Sequence, residues 1–371
     1  MLVRPSIGFV VVCMKVFFFS HKIDDSVHWQ SSNTTISVMH CIIRLLLFSL
    51  CSVAATPPTK GPFDIRKYVV EIPALDETGR GAAVYHPNVP SSSSSSTTET
   101  VNDEDHANAT TNTSPQFQKF PLIVYAHGFA GGSIALLGYD SFFEQLASYG
   151  FVVIAHDSCD MTCHVKAPTN YTSCAGLPEV FPDGWSSYYG ETLKVIEWSH
   201  LSTSVVNRLI DFSHGIGIAG HSMGGQSTAL AATDRCVEEW NITSAALHHP
   251  AMGDSKDFPD HNIANNISKV PLAAFTSSGD HLCNASYSLK YVDDSPTTEL
   301  KLYRNLVGWS HLEPVMHAWG TENPFLATFT AFWFQATMLQ NETARDYLVN
   351  SSNKDSLCNY APMAQCFVRN A

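Results

Sequence analysis

At 371 residues, 44% of them hydrophobic, the chain is long enough to bury a sizeable core and too long for a small stapled scaffold. Its formal net charge is −13, and no run of Lys or Arg is dense enough to grip phosphates or anionic lipid. That balance excludes nucleic acid as an expected partner.

The first 55 residues read as separate from the fold. They carry two apolar stretches, Ile7 to Phe19 and Ile42 to Leu50. Each is shorter than the roughly 20 apolar residues a bilayer requires, and Lys15 interrupts the first. From Met39 to Ala55 a weakly basic start, an apolar middle and a small-residue end describe a signal peptide cleaved near Ala55. Translation is expected to begin at Met39, with the residues before it an upstream extension. A longer signal or a retained anchor is the alternative. The mature chain, 56–371, is expected to have no stable membrane span.

Lys67 to Glu71 and Gly81 to His86 are β-branched or aromatic segments separated by Asp76 and Gly79, so they predict a hairpin that opens the sheet. From residue 90 to 115 the composition collapses to Ser, Thr, Asn and acids, including the run Ser91 to Ser96. Nothing there can bury a core, and the stretch is expected to be a disordered insertion. Strand then alternates with helix. The predicted elements are a strand over Phe120 to Ala126, a helix over Tyr139 to Tyr149 closed by Gly150, and a strand over Phe151 to Ala155. A helix around Gly190 to Leu201, a strand over Ile216 to Ala219 and a helix from Met223 to about Cys236 follow. Ala245 to His248, Leu272 to Thr276 and Leu300 to Leu306 complete the strands, the last taken as the final one. Asn323 and Pro324 begin an apolar helix that runs to Leu339. Such alternation predicts one α/β domain, a mostly parallel doubly wound sheet with an N-terminal antiparallel hairpin.

Two features support a secretory route. Asn-x-Ser/Thr sites crowd the chain at Asn108, Asn112, Asn170, Asn241, Asn266, Asn284, Asn341 and Asn350. Beyond the leader stand Cys159, Cys163, Cys174, Cys236, Cys283, Cys358 and Cys366, an odd set in which most should pair and one should stay free. The groupings Cys159/Cys163/Cys174 and Cys358/Cys366 suggest local bridges. Zinc is the rival reading, but no two pairs share structural-zinc spacing.

Gly220-His221-Ser222-Met223-Gly224 is a Gly-x-Ser-x-Gly motif between a predicted strand and a predicted helix. A serine on so tight a turn presents its oxygen outward, and glycines let the neighbouring backbone pass. Ser222 is the expected nucleophile. Acyl transfer also needs amide donors for the developing oxyanion, and we assign the backbone of Met223 and that of Phe129, in the loop His127-Gly128-Phe129. An acid and then a histidine should follow, each just past a strand. Asp280 ends Ser277-Ser278-Gly279-Asp280, with Asp293 and Asp294 nearby. His311 is the first histidine after the predicted last strand, and His317 is its rival. Glu313 is read either as a residue that supports His311 from behind its direct partner or as exposed.

These motifs resemble bacterial cutinases and related polyester hydrolases, chlorophyllases and platelet-activating-factor acetylhydrolase-like esterases. The resemblance spans most of residues 61 to 340. It runs through Gly61-Pro62-Phe63, Val84-Tyr85-His86-Pro87, the His-Gly-Phe loop, Gly150-Phe151-Val152-Val153, Gly220 to Gly225 and Ser310-His311-Leu312-Glu313-Pro314. It implies a single α/β-hydrolase domain and an aromatic at the oxyanion position, which Phe129 matches. The cutinase branch carries tryptophan where this chain has His248-His249-Pro250, so His249 is placed against substrate, with Trp185 or Trp309 supplying the ring. Chlorophyllases carry Arg where Met223 stands here. The stretch from Pro250 to Val270 is too short for a full cap domain, which predicts an open cleft for bulky, lipid-like or polyester substrates. The expected protein is a secreted, monomeric carboxylic ester hydrolase that uses neither metal nor organic cofactor. A catalytically silent hydrolase-fold binding protein at the cell surface is the rival.

Overall fold

A computed structural model of the chain describes residues 60–73, 80–89, 118–128, 138–157, 174, 189–252, 263–315 and 323–370. The leader and its Met39 start, and the insertion at 90–115, lie outside those residues. The segment Thr56–Ala371 forms one compact unit.

Among the described residues nine strands make one sheet: β1 (Ile65–Ile72), β2 (Arg80–Pro87), β3 (Leu122–Ala126), β4 (Val152–His156), β5 (Ile216–His221), β6 (Ile242–His248), β7 (Leu272–Ser277), β8 (Lys301–Leu306) and β9 (Met363–Arg369). Their spatial order is β1-β2-β4-β3-β5-β6-β7-β8-β9. β1 pairs antiparallel with β2 across the full length of both, the hairpin read from the sequence, and β2 pairs antiparallel with β4. From β4 to β8 every pairing is parallel.

Those parallel strands are short apolar runs because both faces of the sheet are covered. In β3, Leu122 and Val124 join one core, whereas Ile123 and Tyr125 join the other, the two-residue alternation of a pleated strand. The first core is closed by α2 (Tyr189–His200), α3 (Met223–Ala231), α4 (Asp234–Trp240) and α5 (Ala285–Asp294). The second is closed by α1 (Asp140–Ser148), α6 (Pro324–Met338) and α7 (Glu342–Val349). Helices on both faces make the fold doubly wound, as predicted.

Local signals set several boundaries. Asn323 caps α6 by accepting a hydrogen bond from the amide of Phe325 at 3.0 Å, and Pro324 takes the first helical position. No helix among the described residues is long and apolar enough to cross a membrane. Two expectations need correction. The helix predicted from Met223 to Cys236 is two helices, because Thr233 turns to extended backbone, ψ 147°, and restarts the chain as α4. The strand ending at Leu306 is not the last: β9 adds an antiparallel edge to β8 after α7.

Cys358 and Cys366 form the local bridge expected of them. Cys174 does not bond locally. It pairs with Cys236, 62 residues along the chain, fastening the segment before α2 to α4. Cys283 is a buried free thiol, and Cys159 and Cys163 lie outside the described residues.

Candidate active site

β5 enters the site fully buried and delivers Ser222 at its carboxyl end. There the chain reverses into α3 with Ser222 at φ 57°, ψ −120°, a conformation that costs a non-glycine residue of order 1–3 kcal/mol. Backbone bonds hold it: the Ser222 amide donates to the carbonyl of His248 at 3.0 Å, and its carbonyl accepts from Ala251 at 2.8 Å. Any Cβ at Gly224 would strike the carbonyls of Ala126 and His127, so only glycine lets α3 begin directly against the end of β3. The Met223 amide thus stands in the first turn of a helix, where donors have no intrahelical partner and the dipole favours negative charge.

The loop after β3 passes over the serine. A Cβ built on Gly128 would lie 3.1 Å from Cβ of Ser222. A directed chain of hydrogen bonds fixes that loop. The Gly128 amide donates to the Tyr139 hydroxyl at 3.2 Å, and that hydroxyl meets Nδ1 of His221 at 2.6 Å. Nε2 of His221 meets the carbonyl of His311 at 2.8 Å. The His311 carbonyl can only accept, so Nε2 carries the ring proton and Nδ1 of the neutral ring accepts from the tyrosine hydroxyl. His221 is neutral because burial, with the charges of His311 and His249, holds its pKa well below the ordinary histidine value.

Asp280 and His311, which follow β7 and β8, are brought together: Nδ1 of His311 lies 2.8 Å from Oδ2 of Asp280. Oδ1 of Asp280 accepts from the amides of Leu282 at 2.9 Å and Cys283 at 2.8 Å. Burial alone would raise the Asp280 pKa, but hydrogen bonds from His249 and His311 outweigh it and hold the carboxyl well below the usual range. Ser222 adjoins this pair, since the ring of its neighbour His221 lies tilted beside that of His311, the ring centres 4.7 Å apart. Its hydroxyl lies near enough to the thiol of Cys283 to work against the burial that raises that thiol's pKa, and no hydrogen bond joins Ser222 to His311 among the described residues.

Behind Asp280 lies a buried chain of charge that sequence reasoning missed. His249 is completely buried, so it does not line a cleft as expected. Its Nδ1 lies 2.8 Å from the same Oδ2 of Asp280, and its Nε2 lies 2.9 Å from Glu313. Glu313 is not exposed, and it supports His311 only from behind, through His249 and Asp280. It pairs with Arg304 of β8 and accepts from Asn323 at 2.5 Å, while Arg304 also donates to Tyr360 at 3.2 Å. A signal existed: Arg304 stands inside a strand predicted for the sheet, and an arginine buried there demands an acid.

His249, Asp280 and His311 offer donor atoms within 4.8 Å of one another, close enough for a metal. Their shared hydrogen bonds already account for that spacing.

Residues 91–172 match the model of the family described as platelet-activating factor acetylhydrolase, isoform II. That stretch includes β3, α1, β4 and the His127-Gly128 turn over Ser222. Over it, the chain is similar to a hydrolase family, the resemblance to platelet-activating-factor acetylhydrolase-like esterases read from the motifs. No curated protein matches the chain.

Of the remaining candidates, Trp309 is partly buried on the loop before His311, and its carbonyl accepts from the hydroxyl of Ser277. Phe129, Trp185 and His317 lie outside the described residues. Asp293 and Asp294 sit at the far end of α5, where they pair with Arg369 and Lys290, respectively.

Proposed function

We propose that this chain is a secreted serine hydrolase that cleaves carboxylic esters through an acyl-enzyme. The observation that carries the reading is Ser222 in a strained strand-to-helix turn beside a histidine hydrogen-bonded to a buried aspartate at 2.8 Å. The mechanism requires the Ser222 hydroxyl to turn about its Cα–Cβ bond toward Nε2 of His311. Catalytic hydrogen bonds often tighten only with substrate bound.

His311 takes the serine proton as Oγ attacks the ester carbonyl, and Asp280 holds the ring with Nε2 facing the serine and stabilises the imidazolium. The amides of Met223 and Phe129 receive the oxyanion. His311 returns the proton to the leaving alkoxide, and water then releases the acyl group by the same steps.

A lipid-like ester is the favoured substrate class. The matched family is named for a lipid acetylhydrolase. Leu282 and Val307, 74% and 46% exposed, put apolar side chains on the loops that carry Asp280 and His311. With Trp309 they supply a greasy rim, and the short Pro250-to-Val270 connection supports an open cleft over one hydrolase domain, residues 56–371. Two disulfides and exposed sequon residues Asn241, Asn266, Asn284 and Asn341 support the secretory route and a signal peptide from Met39.

The test uses a fluorophosphonate probe and a p-nitrophenyl ester on the mature chain. Wild type should label and turn over, and Ser222→Ala should not label and should lose about 10⁴-fold or more in kcat. Labelling that survives the substitution would sink the assignment. A silent binding protein is the second reading, favoured by the missing hydrogen bond between Ser222 and His311; it predicts that wild type does not label.

A further inference from the structure

His249 is a buried histidine with a carboxylate on each ring nitrogen. Its side chain is 0% exposed, as are those of Asp280 and Glu313. Ionised carboxylates accept hydrogen bonds and cannot donate them, so both nitrogens can be satisfied only if both carry protons. The alternative, a proton on one of the acids, runs against their other contacts. Oδ1 of Asp280 takes two amides and Oδ2 takes His311. Glu313 takes Arg304 and Asn323. Each set favours the anion. The remaining ionisable neighbours leave the positive charge to His249: His221 and His248 are held neutral by burial, and the Cys283 thiol is pushed up to about 12 by burial and by Asp280. Cations and anions then alternate along Arg304, Glu313, His249 and Asp280. Burial works to lower the His249 pKa, yet hydrogen bonds to Asp280 and Glu313 and their charges raise it above the ordinary value. The residue also holds φ 46°, an uncommon conformation, with its amide bonded to the carbonyl of Phe275 at 2.8 Å.

We propose that His249 is an imidazolium throughout the neutral pH range, bridging Asp280 and Glu313, and that it is a positioning residue which fixes the Asp280 oxygen that orients His311. The kinetic half of this proposal rests on the esterase reading above. Asp280 presents a single oxygen to both rings, so His249 pins the carboxylate in rotation and compensates part of its charge. His311 therefore works against a carboxylate that is anchored and partly neutralised. Removing the His249 charge leaves the full negative charge facing His311, whose ring centre is 5.7 Å from that of His249. The acid limb of the activity profile then moves to higher pH, because the uncompensated carboxylate opposes the proton transfers of the reaction at low pH.

Nitrogen-15 NMR of the imidazoles in the full mature chain decides the first half. The His249 signals are identified by their loss in His249→Gln or, should that chain fail to fold, in His249→Phe. Both ring nitrogens should stay protonated from pH 5 to 8.5. A singly protonated ring at pH 7 overturns the proposal. In His249→Gln, kcat should fall while KM changes less than about threefold, and the acid limb of the kcat/KM profile should move upward by on the order of one to two pH units. A lower kcat with an unmoved pH profile would mean a packing role only and overturns the positioning half. Because ring protonation is read without turnover, wild-type protein that resists the fluorophosphonate probe would count against the esterase reading and not against the imidazolium.

Discussion

Arg304 and Glu313 form an ion pair whose side chains are 1% and 0% exposed, at the root of the loop that carries His311. A buried pair of this kind is weak support for stability in itself, but loss of one member strands the other charge in the core. Arg304→Met should therefore destabilise the fold by about 3–5 kcal/mol, read as a lower midpoint in urea. Because Glu313 also holds His249, activity under native conditions should fall with it. A variant as stable as wild type would mean that Glu313 takes up a proton or finds water instead.

The acids and the histidine of this network give stability opposite dependences on pH. Asp280 and Glu313 are held below the usual carboxylate range, by His249 and His311 and by Arg304 and His249, respectively, each against burial. Their contribution is present above about pH 4 and is lost as pH falls through the lower folded values. His249 is raised. Its contribution is complete below about pH 6.5 and is lost as pH climbs through its folded value. The melting temperature should thus fall at both ends between pH 3 and 10, and His249→Gln should remove the alkaline fall. An alkaline fall that persists in that variant would assign it to another group.

Cys283 lies near the serine hydroxyl with its thiol pushed up to about 12, chiefly by burial. At pH 8 only about one in 10⁴ is thiolate, so iodoacetamide should alkylate it slowly in the native protein and readily in urea. Cys283→Ala removes the thiol near Ser222, and kcat should be kept. A loss greater than about a hundredfold would give the thiol a part in the reaction that the geometry does not suggest.

The Cys174–Cys236 bridge closes a loop of 62 residues. On the chain-entropy account a loop of this length contributes about 4 kcal/mol, so Cys236→Ser should lower stability by that order, measured by denaturation. The loss should exceed that in Cys366→Ser by about 2 kcal/mol, because Cys358 and Cys366 enclose only an eight-residue separation. Equal losses would show strain or residual structure outweighing loop length.

Much of the sheet was legible because each strand obeys a local rule. The runs at Leu122–Ala126 and Val152–His156 are apolar on both faces, and Asn323-Pro324 carries its own cap. β9 was not legible: Met363–Arg369 is half exposed, mixed in polarity and placed at an edge, where packing imposes little pattern. The split of α3 from α4 was likewise missed, since a single threonine breaks an otherwise continuous helical pattern.

The site divides in the same way. By itself the sequence determined the α/β architecture, the Gly-x-Ser-x-Gly turn and the order in which Asp280 and His311 follow it, because each depends on residues adjacent along the chain. Only the tertiary structure decided that His249 faces Asp280 rather than a substrate, that Glu313 is buried, and that Cys174 reaches Cys236. Those partners come from separate strands and loops. Which side chains meet at the carboxyl ends of parallel strands depends on strand order and register, and a one-dimensional pattern carries no record of either.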